Sequence, residues 1–178
     1  MVRKLPKIIN QEEFELLLKE IPKVPRITRA RKEQYKLAML LGFESGMRIS
    51  EIVGFKDKVP PLQKEQIGEN QIKIISGKGG KDRIVPRPKR LNQRALMLLP
   101  MKIKRRSLQS FITNLAKDVL HRPLSFHTLR HGFGSHLAGL GVPLHQVQML
   151  MGHSRLDTTG IYLHANPKDA IDKAQELF

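Results

Sequence analysis

The sequence predicts a mainly α-helical domain with one small antiparallel β-sheet, an α+β fold. Three observations lead there. Apolar residues recur at helical spacing along most of the 178 residues. One interval, QIGENQIKIISGKGGKDRIVPRP, breaks that rhythm with short β-branched runs split by glycine-rich turns. The length and the 40% hydrophobic content suit a single domain that buries its own core.

Each element has a local reason. Asn10 with Glu13 three residues on is a capping pair, and Phe14, Leu17 and Leu18 follow on one helical face. PKVPRIT is a linker. RARKEQYKLAMLLGFES is a second helix with Tyr35, Leu37, Leu40 and Leu41 inward, stopped by Gly46. RISEIVGF starts a short helix, with Ser50 as its cap and Glu51 in its first turn. QIKIIS and DRIVP pair as a hairpin. RLNQRALMLL, RRSLQSFITNLAKDVL, HTLRHGFGSHLAGL and PLHQVQMLM then read as helices, the last bounded by Pro143 and Gly152. In HTLRHGFGSHLAGL the buried face is Leu129, Phe133, Leu137 and Leu140, with His127 and Arg130 on another face near the N-terminus. A short helix over LDTTGIYLH and a final one over NPKDAIDKAQELF close the chain. Phe111, Phe126, Phe133 and Tyr35 are assigned to the core.

Composition narrows the function. There is no cysteine, which excludes disulfides and thiolate metal sites. No apolar run is long enough to span a bilayer and the N-terminus lacks the apolar core of a signal peptide, so no membrane partner and a cytoplasmic location are expected. Lys and Arg total 32 against 16 acids, a net +16. From Lys73 to Arg106 there are twelve basic residues and one acid, Asp82, so +11 of that charge falls in 34 residues. A solvated face interleaves both signs; this block reads as a phosphate-binding surface, with double-stranded DNA as partner. Its candidate contacts are Lys73, Lys81, Arg83, Arg87, Lys89, Arg90, Lys104, Arg105 and Arg106. A basic protein of a crowded assembly such as the ribosome is the plainer alternative. Aromatics are 5% with no tryptophan, which argues against single-strand stacking. Seven histidines raise the question of zinc, but no His-Glu-x-x-His pair occurs, and neither a metal nor another cofactor is expected.

The chemistry-bearing residues stand in four groups. GMRISEIVGF holds Arg48; GKGGKDRIVP holds Lys78; HTLR holds His127 and Arg130; MGHSRLDTTGIY holds His153 with Tyr162 nine residues later. In this order and spacing the chain resembles the tyrosine site-specific recombinases, in particular the Xer recombinases of bacteria and archaea and related viral integrases. The resemblance covers roughly Glu13 to the end. It implies the catalytic-domain fold of that family and metal-free DNA cleavage and rejoining. Tyr162 would attack a phosphorus and become joined to the 3′ phosphate. Arg48 and Arg130 would clamp the non-bridging oxygens. His153 would add a hydrogen bond there, and His127 would accept a proton or orient the site. Lys78 would protonate the departing 5′ oxygen, with Lys81 as the alternative acid.

The resemblance also implies a homo-tetramer on DNA. Residues 1–178 are expected to form one catalytic domain, without the helical N-terminal domain that completes the clamp in family members. Residues 166–178 would form a helix that docks on a neighbouring subunit, folding back on its own chain being the alternative. Two rival readings are a type IB topoisomerase-like activity, which lacks partner exchange, and a non-catalytic helix-turn-helix regulator, which needs neither Tyr162 nor Arg48.

Overall fold

A computed structural model describes residues 8–56, 58–75 and 82–152. Among the described residues, seven α-helices and one two-stranded sheet follow in the order α1 (Gln11–Glu20), α2 (Arg29–Glu44), α3 (Ile49–Val53), β1 (Gln71–Ile74), β2 (Arg83–Pro86), α4 (Gln93–Leu96), α5 (Arg105–Leu120), α6 (Phe126–Gly139) and α7 (Leu144–Met151). The expected fold class is the observed one.

The first helix starts where its capping pair predicts: the Asn10 side chain accepts from the Glu13 amide at 2.8 Å, and Glu13 Oε2 accepts from the Asn10 amide at 3.3 Å. Phe14, Leu17 and Leu18 are buried, and Phe14 stacks on Phe43 of α2 at 4.1 Å between ring centres. Tyr35 is 7% exposed and stacks on Phe111 of α5, also at 4.1 Å. These ring pairs tie α1 and α5 to α2, whose apolar side chains run through the core.

The most extensive helix pairing is α2 against α6, and small residues allow it. A Cβ on Gly132 of α6 would come within 2.8 Å of both an Ile9 side-chain atom and the Ile9 carbonyl oxygen, a backbone atom that cannot swing away. Gly46, which ends the α2 turn, has φ +63 and lies under the Phe133 ring. Only glycine combines that backbone with that contact. A separate small cluster of Phe133, Val147 and Met151 seats α7 on α6.

The strands pair antiparallel, Gln71 opposite Pro86 and Ile74 opposite Arg83. Ile72, Ile74 and Val85 point into the core, while Lys73 and Ile84 are exposed.

Three local expectations are corrected. The short helix after Gly46 begins at Ile49, with Arg48 and not Ser50 in the cap position; Glu51 accepts from the Arg48 amide at 2.7 Å and so serves the turn better than a serine one residue later. RLNQRALMLL gives only the four residues of α4, with Met97 74% exposed beyond its end. Leu140 lies past the last turn of α6 and is exposed, whereas Leu129 and Phe133 are buried as expected.

Candidate active site

The four sequence groups are far apart in the chain, and the fold brings two of them to one place. Arg48, His127 and Arg130 line an open cleft of about 930 Å³ with Arg105 and Arg106. No Asp or Glu is among the described residues lining it. Its walls include Ile49 and Ser50 at the start of α3, Arg105 and Arg106 at the start of α5, and Phe126 and His127 at the start of α6. Three helix N-termini, each the positive end of a dipole, and four arginines give this cleft a strongly positive lining. Placing Arg105 and Arg106 at an N-terminus is unfavourable for the isolated helix and favourable only where an anion is to be held. Arg105 is steadied by Phe55, whose ring centre lies 5.1 Å from its guanidinium carbon.

Arg130 is 1% exposed, rare for an arginine, and its partners explain it. Its Nη1 donates to the Gly46 carbonyl and its Nη2 to the Met151 carbonyl. One guanidinium thus bridges the turn that precedes Arg48 and the last turn of α7. Arg48 is held twice: Nη1 donates to Glu51 Oε1 at 2.9 Å and Nη2 to the Gly152 carbonyl at 3.1 Å. Gly152 takes the left-handed conformation that ends α7 (φ +58) and is the last described residue before His153.

Glu51 is the one buried carboxylate near the cleft among the described residues, 5% exposed. Burial works to raise its pKa, but hydrogen bonds and charge from Arg83 and Arg48 outweigh it and hold the group at about 2. His131 follows Arg130 and meets the His127 ring edge-on at 4.3 Å. Burial first, then the His127 and Arg130 charges, lower its pKa to about 4, so it is neutral near pH 7.

These two shifts make acid stability testable. The folded His131 takes up its proton later than the unfolded one, so its contribution is complete above pH 6.5 and is lost as pH falls to about 4. Glu51 acts lower, its contribution being lost between about 4.5 and about 2. Melting curves from pH 8 to pH 2 should therefore fall in two stages, the first between about pH 6.5 and about 4 and the second below about 4.5. His131→Gln should remove the first stage and leave the second; a single stage near pH 4 in the unaltered protein would contradict the His131 assignment.

The basic block divides. Lys73, Lys89, Lys104, Arg105 and Arg106 are exposed. Three arginines expected among the phosphate contacts also make contacts within the protein. Arg83 is corrected outright: its side chain is 8% exposed and its fork closes on Glu51, both terminal nitrogens at 2.8 Å. Arg87 donates to the Gly68 and Leu91 carbonyls at 3.0 and 2.6 Å, pinning the loop before β1. Arg90 is exposed but paired with Glu44 at 2.7 Å and Glu15 at 3.0 Å. Lys78, Lys81, His153, Tyr162 and the expected helix over 166–178 lie outside the described residues. Phe55 was overlooked in reading the motifs, and Glu51 and Arg83 were read as a helix-start residue and a phosphate contact. Glu51 three residues after Arg48 was visible as a helix cap but gave no sign of its second arginine.

Comparison with known proteins agrees with this geometry. The phage integrase family matches residues 7–169. A tyrosine recombinase XerA of Thermococcus kodakarensis is 34% identical over 191 aligned residues, covering 98% of this chain and 63% of that protein. A tyrosine recombinase XerD of Ralstonia nicotianae is 32% identical, covering 90% of this chain and 56% of that one. The chain thus spans about 56 to 63% of the length of these relatives. Among solved structures, the XerH site-specific recombinase bound to palindromic difH substrate in a post-cleavage complex superposes with TM-score 0.75 at 25% identity, over 96% of this chain and 53% of that one. The catalytic domain of bacteriophage HP1 integrase shares the fold at TM-score 0.62 and 21% identity, over 94% and 93% of the two chains. Neither the regulator nor the topoisomerase reading is favoured by these relatives. No helix among the described residues is long and apolar enough to cross a membrane. With Arg48, His127 and Arg130 in one cleft and the family match covering nearly its whole length, the chain belongs to the phage integrase family and is similar to the Xer tyrosine recombinases.

Proposed function

We propose that residues 1–178 form the catalytic domain of a site-specific DNA recombinase that cuts and rejoins duplex DNA through a 3′-phosphotyrosine. The observation that carries this is the cleft: four arginines and a histidine, with no carboxylate among the described lining residues, suit a phosphodiester.

The Tyr162 oxygen attacks the phosphorus and the bond to the 5′ oxygen breaks. Lys78 gives that oxygen its proton, leaving a 5′ hydroxyl, with Lys81 the alternative donor. The phosphotyrosine ester keeps the bond energy, so a 5′ hydroxyl from the same or another strand reverses the step without ATP. Arg48 and Arg130 bind the non-bridging oxygens, whose charge grows in the transition state. His153 donates to the same oxygens, and His127, exposed at the cleft, accepts the tyrosine proton or orients it. Lys73, Lys89, Lys104, Arg105 and Arg106 hold the flanking backbone. Partner exchange needs four subunits on two DNA sites, and residues 166–178 reach the neighbouring subunit in that ring. The protein works in the cytoplasm, where the DNA is.

Covalent capture tests this. The protein is incubated with supercoiled plasmid and with nicked duplexes in EDTA, quenched with detergent, and the adduct digested and mapped by mass spectrometry. The expected product is a 3′-phosphate ester on Tyr162. An adduct on another residue, or cleavage only with added metal, would overturn the mechanism.

A further inference from the structure

We propose that Arg83 is a positioning residue for Arg48, joining β2, the Arg48 turn and the C-terminal turn of α7 into one clamp. This rests on the reading of Arg48 as a phosphate ligand given above. It reverses the role that charge counting assigns to Arg83.

All three Arg83 nitrogens face protein acceptors. Nη1 and Nη2 take the two oxygens of Glu51 at 2.8 Å each, and Nε donates to the Leu150 carbonyl at 3.0 Å. The same two carboxylate oxygens take Arg48: Oε1 its Nη1 at 2.9 Å and Oε2 its backbone amide at 2.7 Å. A carboxylate can rotate about its stem. Closed in a planar fork on one side, it offers its remaining lone pairs in fixed directions on the other. The Arg83 fork therefore sets the direction in which Glu51 holds Arg48.

A second link points the same way. The carbonyls of Leu150, Met151 and Gly152 are consecutive, and each accepts from a different arginine: Arg83, Arg130 and Arg48 respectively. These are the carbonyls a helix end leaves without intrahelical partners, at the negative end of its dipole. Three guanidinium groups from β2, α6 and the start of α3 use that one turn as a common gauge, which fixes the spacing of Arg48 and Arg130. The Arg83 stem lies so close to Gly152 that a Cβ there would stand 2.8 Å from Arg83 Cδ. Lysine at 83 can satisfy one Glu51 oxygen but cannot close both and also reach Leu150.

The test uses the full chain and Arg83→Lys, with Arg83→Gln as a second variant should lysine unfold it. Nitrogen-15 NMR of the arginine side chains reports the clamp without any reaction. Arg48 should give separate, slowly rotating Nη signals, assigned by their loss in Arg48→Ala, and these should merge in the Arg83 variant while the backbone spectrum stays folded. On a nicked duplex the single-turnover cleavage rate should fall about 100-fold, the scale of a small misplacement. Duplex affinity and its salt slope should be unchanged, whereas loss of a phosphate contact would lower that slope by about one. In an Arg48→Ala background the Arg83 substitution should cost nothing further. Unchanged Arg48 signals, a shallower salt slope, or a rate loss that adds to that of Arg48→Ala would overturn the proposal. If the unaltered protein forms no adduct at all, the cleavage reading fails alone and the NMR signals still decide whether Arg83 holds Arg48.

Discussion

Tyr162→Phe should abolish the covalent DNA adduct while leaving duplex affinity within about twofold. The chain has two tyrosines, and the structure disposes of the other one. Tyr35 is 7% exposed and stacked on Phe111 in the core, and it does not line the cleft. The chain also has no cysteine to act instead. Serine hydroxyls are present at Ser50 and Ser110 in the cleft wall, but the neighbouring Glu51 carboxylate is already committed to Arg83 and Arg48 and held ionised by them. On the proposed mechanism, removing the Tyr162 oxygen removes the nucleophile. The expected rate loss is at least about 10⁴-fold, the scale seen when a covalent nucleophile is deleted and only binding and charge stabilisation remain. Gel-resolved adduct formation on a nicked duplex measures it. An adduct of undiminished yield in the variant would falsify the assignment of Tyr162 and return attention to the cleft-wall serines.

What the sequence made legible follows from what each signal measures. Helix periodicity and the Asn10–Glu13 pair concern residues three or four apart, and they placed α1, α2, α5 and α6 within a residue or two. Arg48, His127 and Arg130 were legible because their motifs keep a fixed spacing, and the structure puts all three on one cleft. The basic block is where a local reading says least. Counting charge between Lys73 and Arg106 treats every arginine as facing solvent, but Arg83 and Arg90 have carboxylate partners 32 and 46 to 75 residues away. Glu15, Glu44 and Glu51 all precede the block, so a local count cannot include them. The misplaced cap at Ser50 has the same origin: Arg48 is a poor capping residue by type, and it stands at that position because Glu51 and the Gly152 carbonyl hold it. Periodicity also carried the α6 face one turn too far, to Leu140, since nothing in its spacing marks Gly139 as the end.

Arg48→Ala and Arg130→Ala should slow cleavage to a similar degree and differ sharply in stability. Each removes a guanidinium from the same cleft, and a preorganised donor on a developing charge is worth about 10²- to 10³-fold. Their structural duties differ. Arg48 is the more exposed of the two, at 20% of its side chain, and Glu51 keeps the Arg83 fork when it goes. Its removal should lower stability by about 1 kcal/mol. Arg130 is buried and ties the Gly46 turn to the end of α7. Alanine there leaves two carbonyls without that donor and opens a cavity beside the small cluster that seats α7. The expected cost is roughly 3 kcal/mol or more, a fall of about 6 to 12 °C in Tm for a domain of this size. Arg130→Lys should recover little, because a single ammonium cannot span both carbonyls. Thermal melts together with single-turnover rates, taken well below the lower Tm, separate the two effects. Equal stability losses would mean that Arg130 does not hold the turn, and a rate in Arg130→Ala near that of the unaltered protein would mean that it does not hold the phosphate.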